Sequence, residues 1–364
     1  MKKINSGINL FKLFSMFMIA QLHILGMGGI IGATEGTAAY YHAFFMQNAA
    51  FCAVNCYALA SGYLMLGKKI RLSRIAGLWL EVFFYSVVIS AIMMSVYRDL
   101  FSAQNTVHAL TPIISNQYWY MTSYFLMYLF IPMMNKFAES ASKKCFTAFL
   151  AAIFVMTTGA FFIGAYGFRF FDGYSPIWLM IMYLVGAYMK KFNIGAKMKK
   201  ITALLLYLSA VVCNYLINLF LKKPMKGIFS DGLVQYLSYT SPFVVLSAVF
   251  LFIFFSKLNF GKQTEKIINY ITPAALGVYL IHTHPLVFNK LIKNIALPLV
   301  NHGTAAVIFG SVAMALAVFI ICIVIDILRI QLFRLIKTDA PCKKLDSAFE
   351  KSKVKSEAQV SDTK

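Results

Sequence analysis

The sequence predicts an all-α polytopic membrane protein with about ten transmembrane helices and both termini in the cytoplasm. Three observations carry this. The 364 residues are 60% apolar, with 34 Phe and 20 Tyr and only 13% charged. Apolar runs long enough to cross a bilayer recur along nearly the whole chain, which a soluble domain of this size does not show. Basic residues gather in alternate connecting segments.

The runs lie near 9–32, 41–66, 75–96, 117–135, 146–166, 174–190, 201–221, 235–256, 271–293 and 304–336. The first is too long for a cleaved secretory signal and lacks a small-residue cleavage site, so it is a retained helix. The last exceeds one straight span and is expected to tilt, or to continue as an amphipathic helix past Asp326 and Arg329. With the N-terminus inside and strict alternation, only Arg98, Arg169, Lys222, Lys223, Lys226, Lys290 and Lys293 of the 34 Lys and Arg fall outside. That asymmetry sets the orientation. The chain divides into a membrane domain, 1–336, and a charged cytoplasmic tail, 337–364, expected to be disordered or a surface helix.

The net charge of +21 is spread over loops, with no basic aromatic module. It points to an anionic bilayer leaflet as partner and away from nucleic acid. Of the six cysteines, Cys52 and Cys56 share a helix face at i and i+4. No His/Cys set completes a metal site, and the cysteines are assigned to packing.

The chemistry-bearing residues sit inside or beside these runs. Lys12 and His23 are eleven positions apart in the first one. That is about three helical turns, so both lie on one face, separated by about 16 Å along the axis. An ionisable residue as deep as His23 is a functional candidate. Arg71 and Arg74, at i and i+3 where the third run begins, share a face and with Lys12 can form an anion site at the cytoplasmic mouth. On spacing alone, ordinary positive-inside charge is the favoured explanation. His282, in the ninth run with Tyr279 three residues before it, lies at a depth similar to that of His23. The two histidines can flank one site or serve helix packing. Pro285 is expected to kink that helix or open a cavity. Asn55, Ser61 and Tyr63 are further polar groups in the second run. Glu81 lies seven residues after Arg74 on the same face, placed to orient an imidazole or pair with a cation. Tyr118, Trp119 and Tyr120 fit an interfacial aromatic belt, whose faces can also stack on a sugar.

These segments together resemble the acyltransferase-3 family of integral membrane acyltransferases. The match runs through Lys12-x10-His23, Arg71-x-x-Arg74, the stretch from Asn55 to the Ser-Gly-Tyr ending at Tyr63, Leu276-Gly-Val-Tyr-Leu-Ile-His282, and the Tyr118-Trp119 segment with Pro132. Many relatives carry arginine where this chain has Lys12. The resemblance implies transfer of an acyl group, usually acetyl from acetyl-CoA as co-substrate, to a hydroxyl of a glycan or lipid-linked glycan acceptor at the bacterial cell surface. It implies a catalytic role for His23 and donor-side roles for Lys12, Arg71 and Arg74; His282, at similar depth, is the second catalytic candidate. Asn55, Ser61, Tyr63, Glu81, Trp119 and Tyr279 are the site-lining or oxyanion candidates. No tightly bound cofactor is expected. The competing class is a multi-pass transporter, flippase or polymerase for a lipid-linked glycan. Intramembrane histidines suit a proton-coupled carrier, but such carriers more often show internal repeats and several intramembrane carboxylates.

Overall fold

The structure, a computed structural model, describes residues 5–163, 170–220, 237–338 and 340–347. Arg169, Lys222, Lys223, Lys226 and the tail from 348 onward lie outside the described residues, as does the start of the eighth run. The described residues are all helical or loop, without a strand. Six segments among them are long and apolar enough to cross a membrane, and the chain is a multi-pass membrane protein.

The helices that position the site are α1 (Ser6–Leu25), α2 (Ala38–Ala50), α3 (Ala53–Met65), α4 (Leu72–Val96), α5 (Trp119–Ser140), α6 (Lys143–Ile163), α7 (Pro176–Lys191), α8 (Lys200–Phe220), α9 (Pro242–Ser256), α10 (Lys262–Ile271), α11 (Ala275–His282) and α12 (Gly303–Leu335). Their ends follow from local chemistry. The Asn5 side chain accepts the Ile8 amide at 3.1 Å and starts α1. Ser175 accepts the Trp178 amide at the head of α7, where Pro176 occupies the first turn and forfeits no helical bond. Gly26 follows α1, and Gly29 beyond it holds a left-handed φ of 97° that an L side chain rarely adopts.

Two expected spans take a different form. The 41–66 run is two helices, α2 and α3, broken at Phe51–Cys52. Phe51 N–H bonds back only three residues, to the Asn48 carbonyl, which tightens the turn. The Asn48 side chain is itself engaged, donating to the Phe44 carbonyl and accepting from Asn214 and Asn218 on α8. The 271–293 run is also interrupted: α11 stops at His282, and a series of short turns follows. The last run, by contrast, is one continuous helix of 33 residues. Its length of about 50 Å exceeds the roughly 30 Å hydrocarbon core, so it tilts or extends beyond it. Along it Phe309, Leu316, Ile320, Val324 and Leu328 stay exposed at helical spacing, an apolar face suited to lipid.

Helices in lipid gain little from hydrophobic burial against each other, so close backbone approach matters more. Gly62 of α3 sits against the Tyr183 carbonyl of α7, and Gly186 of α7 against the Leu59 carbonyl of α3. A Cβ at either glycine would overlap the facing backbone. Gly186→Val is therefore expected to cost about 1–3 kcal/mol or more. Thermal unfolding of the purified protein in detergent checks this; an unchanged midpoint would mean that the two backbones are not in contact.

Several lysines counted as topology signals also tie helix ends. Lys191 Nζ donates to the carbonyls of Ala138, Glu139 and Ala141 at 2.7–2.8 Å, capping α5, and Lys190 Nζ donates to the Leu66 carbonyl beyond α3.

Candidate active site

His23 occupies the last turn of α1, and His282 is the last residue of α11. The sequence after each histidine forces its helix to end. After His23 come Gly26, Gly28 and Gly29. After His282 comes Thr283-His284-Pro285, and a residue before proline avoids helical φ/ψ; His284 is extended, with φ −54° and ψ 125°. The two exits are then stitched together. Asn294 N–H donates to the Met27 carbonyl at 2.9 Å, and Ala296 N–H to the Gly28 carbonyl at 3.0 Å.

This brings the two imidazoles into contact, with His23 Nδ1 2.9 Å from His282 Nε2. The proton positions follow from the partners. His282 Nδ1 faces the Val278 carbonyl one turn back. A carbonyl can only accept, so that nitrogen carries the proton and His282 Nε2 is the acceptor. His23 Nδ1–H must then be the donor between the rings. The remaining His23 nitrogen, Nε2, keeps its lone pair. The ring of Phe288 meets His23 edge-on at 5.2 Å and fixes its plane.

A third histidine lies two residues after His282. His284 is buried, its Nδ1 accepts the Leu286 amide at 3.2 Å, and its Nε2 lies 2.9 Å from the Gln117 amide and 3.2 Å from Ser90 Oγ. Ser86 Oγ, 3.1 Å from Gln117 Oε1, extends the network to the Ala109 carbonyl. Pro285 was the only local signal for this break; the partners come from α4 and the segment before α5.

The cationic candidates separate into two groups. Lys12 is half-buried on α1, and the charges of Arg74 and Lys68 act on it. Arg71 stands at the head of α4 and is exposed. Its neighbourhood holds an anion that was not expected. Residues 340–347 of the tail are helical, and Asp346 accepts from Ser73 N–H at 2.9 Å and from Ser73 Oγ–H at 2.6 Å. These bonds, with the Arg71 charge nearby, hold the Asp346 carboxyl below the usual carboxylate range. A carboxylate on the free amides of a helix N-terminus is favourable, and it explains why this part of the tail takes up a defined position.

The remaining candidates are placed as follows. Tyr279 lies among the rings of Tyr118 and Tyr120, at 6.1 and 6.0 Å. Ser61 Oγ donates to the Tyr57 carbonyl and lies 3.3 Å from Tyr124 Oη. Asn55 is fully buried, and its amide is spent on the Trp178 indole N–H and the Tyr239 carbonyl, so it ties α3 to α7 and to the segment before α9. Tyr63 packs on Phe252 at 4.7 Å, and Trp119 on Tyr174 at 4.6 Å. Glu81 pairs with a cation: Arg329 Nη2 is 2.9 Å from Glu81 and 2.8 Å from Asp326, and Tyr85 donates to Asp326 at 2.6 Å. Gly277 of α11 lets its backbone lie directly against Asp326. The i, i+3 spacing of Asp326 and Arg329 is visible in the sequence, but Glu81 as their shared partner is not.

The search of known proteins agrees with the motifs. The model of an acyltransferase domain matches residues 5–327, nearly the whole helical body. No curated protein and no solved structure matches the chain. The matched region spans Lys12 through His282, and the chain belongs to the acyltransferase-3 family.

Proposed function

We propose that this acyltransferase moves an acyl group, most simply acetyl, from cytosolic acyl-CoA to a hydroxyl of a cell-surface polysaccharide or another envelope glycan. The setting is the bacterial plasma membrane, crossed about ten times with both termini inside. The observation that carries the reading is the ordered pair of histidines. With His282 anchored on Val278 and His23 Nδ1–H donating to it, His23 presents one nitrogen lone pair as a base.

In this reading His23 Nε2 takes the proton of the acceptor hydroxyl as its oxygen attacks the thioester carbonyl. The tetrahedral intermediate collapses by breaking the carbon–sulfur bond. The CoA sulfur leaves, and the proton on His23 returns to it. His282 orients the ring and shares the charge that forms. Each histidine also sits at a helix C-terminus, where carbonyl dipoles offset part of the cost of a transient imidazolium. On the donor side, Arg74 and Lys68 lie within electrostatic reach of Lys12, which suits the phosphates of CoA. The separation of Lys12 and His23, about 16 Å along α1, is comparable with the reach of a pantetheine arm.

The test is the O-acyl content of purified surface glycans from cells with and without the protein. The proposal predicts loss of ester-linked acyl groups in its absence and recovery when it is restored. Unchanged acylation would remove surface glycans as the acceptor.

A further inference from the structure

Between the cations and the histidines, one face of α5 carries Tyr120, Tyr124 and Tyr128, spaced i, i+4 and i+8. The three rings follow one another with centroid distances of 6.1 and 6.4 Å. Eight residues of helix make this ladder about 12 Å long. Its inner end is at the cationic mouth, with Tyr128 Oη 3.5 Å from the Arg71 carbonyl. Its other end reaches α11, where Tyr120 meets the ring of Tyr279, one turn before His282. Across from it α3 contributes Ser61, whose hydroxyl donates to the Tyr57 carbonyl and so is left to accept from Tyr124.

Tyr120 departs from the rest of this ladder. It is 9% exposed, and its hydroxyl has no hydrogen-bond partner among the described residues. Tyr124 bonds to Ser61, and Tyr128 to the Arg71 carbonyl. A buried hydroxyl without a partner costs free energy, and phenylalanine would avoid that cost at the same volume. Tyrosine at the end of a polar ladder that leads to the histidine pair has a use if a ligand supplies an acceptor there.

We infer that the tyrosine face of α5 is the docking track for the pantetheine arm of the acyl donor, with the Tyr120 hydroxyl donating to a carbonyl oxygen of that arm. The inference rests on the acyl-CoA reading above. The arm is a chain of amides ending in a thioester, so it offers acceptors along its length and little charge. A row of phenol hydroxyls between an anion-binding mouth and a base matches that chemistry. Tyr120 is then a positioning residue near the thioester end, and Tyr124 with Ser61 meets the arm closer to the nucleotide.

The test compares equilibrium binding of CoA and of adenosine 3′,5′-bisphosphate, which lacks the arm, to the full chain purified in detergent. Tyr120→Phe is expected to weaken CoA binding about 3- to 10-fold, the loss of one buried hydrogen bond, and to leave the bisphosphate within twofold. Because the hydroxyl has no partner among the described residues, the same variant should keep or raise its thermal midpoint. Unchanged CoA affinity in Tyr120→Phe overturns the inference, as does an equal loss for both probes. If the unmodified chain binds CoA no better than the bisphosphate, the arm has no track, while the donor reading stands. If it binds neither, the donor reading itself fails.

Discussion

His23→Ala is expected to lower acyl transfer by about 10²- to 10⁴-fold, the usual contribution of a positioned general base. The protein should still insert and fold, because His23 is only part-buried and, among the described residues, its side chain hydrogen-bonds to His282 alone. Release of CoA from acetyl-CoA in isolated membranes measures the effect, with the amount of inserted protein as the control. His282→Ala should cost less. It removes the acceptor that holds His23 Nδ1–H, but leaves the base itself in place. Replacement of His282 by Gln, which can accept the same hydrogen bond, should recover part of that loss. Equal rates for His23→Ala and the unmodified protein would take His23 out of the chemistry.

The second large effect concerns stability. Arg329 is 9% exposed and is the cation that the two carboxylates Glu81 and Asp326 share, at 13% and 0% exposure. Its removal leaves two buried negative groups with Tyr85 as their one donor among the described residues. Breaking a buried ion pair from one side typically costs about 3–5 kcal/mol, mostly from the charge left behind. Arg329→Ala is therefore expected to unfold at a much lower temperature or to fail to accumulate. Adding Glu81→Gln and Asp326→Asn to it should restore much of the lost stability, since the uncompensated charge is then gone. If the triple variant is no more stable than Arg329→Ala alone, the loss is one of packing. Arg329 lies over the ring of Phe333 at 5.0 Å, so some packing loss is expected in every variant.

The sequence makes the helical class legible because lipid imposes it: the backbone must satisfy itself within each span, and composition records that demand. The common face of Lys12 and His23 follows from helical period alone, and the similar depth of His23 and His282 follows from span edges and loop charge. What brings the two rings within hydrogen-bonding distance does not. It depends on both helices ending at their histidines and on the loop near Asn294 pairing with the loop after α1. The glycines and Pro285 are visible in the sequence as breaks; their pairing is a tertiary event. The same limit hid the shared arginine of Glu81 and Asp326, whose members are 248 residues apart at the longest link. It also hid Asn55, where burial and two partners from distant segments turn a polar group in a membrane span into a helix tie. The tail is a case of charge read as disorder, while one aspartate in it finds the free amides at the head of α4.

The tyrosine ladder is legible as period, with Tyr120, Tyr124 and Tyr128 at i, i+4 and i+8. Tyr118, Trp119 and Tyr120 form a consecutive run that fits an aromatic belt. In a helix, consecutive residues point in different directions, and only the i, i+4 subset forms a surface.

The central claim is that His23 activates an acceptor against a donor held at the mouth near Lys12, Lys68 and Arg74. The most direct measurement is transfer of labelled acetyl groups by the purified chain in vesicles of known orientation, with acetyl-CoA supplied on one side at a time. The account predicts transfer only when the donor is on the side of Lys12, Arg71 and Arg74, and loss of that transfer in His23→Ala. Transfer that persists in His23→Ala, or that proceeds equally from either side, would contradict it.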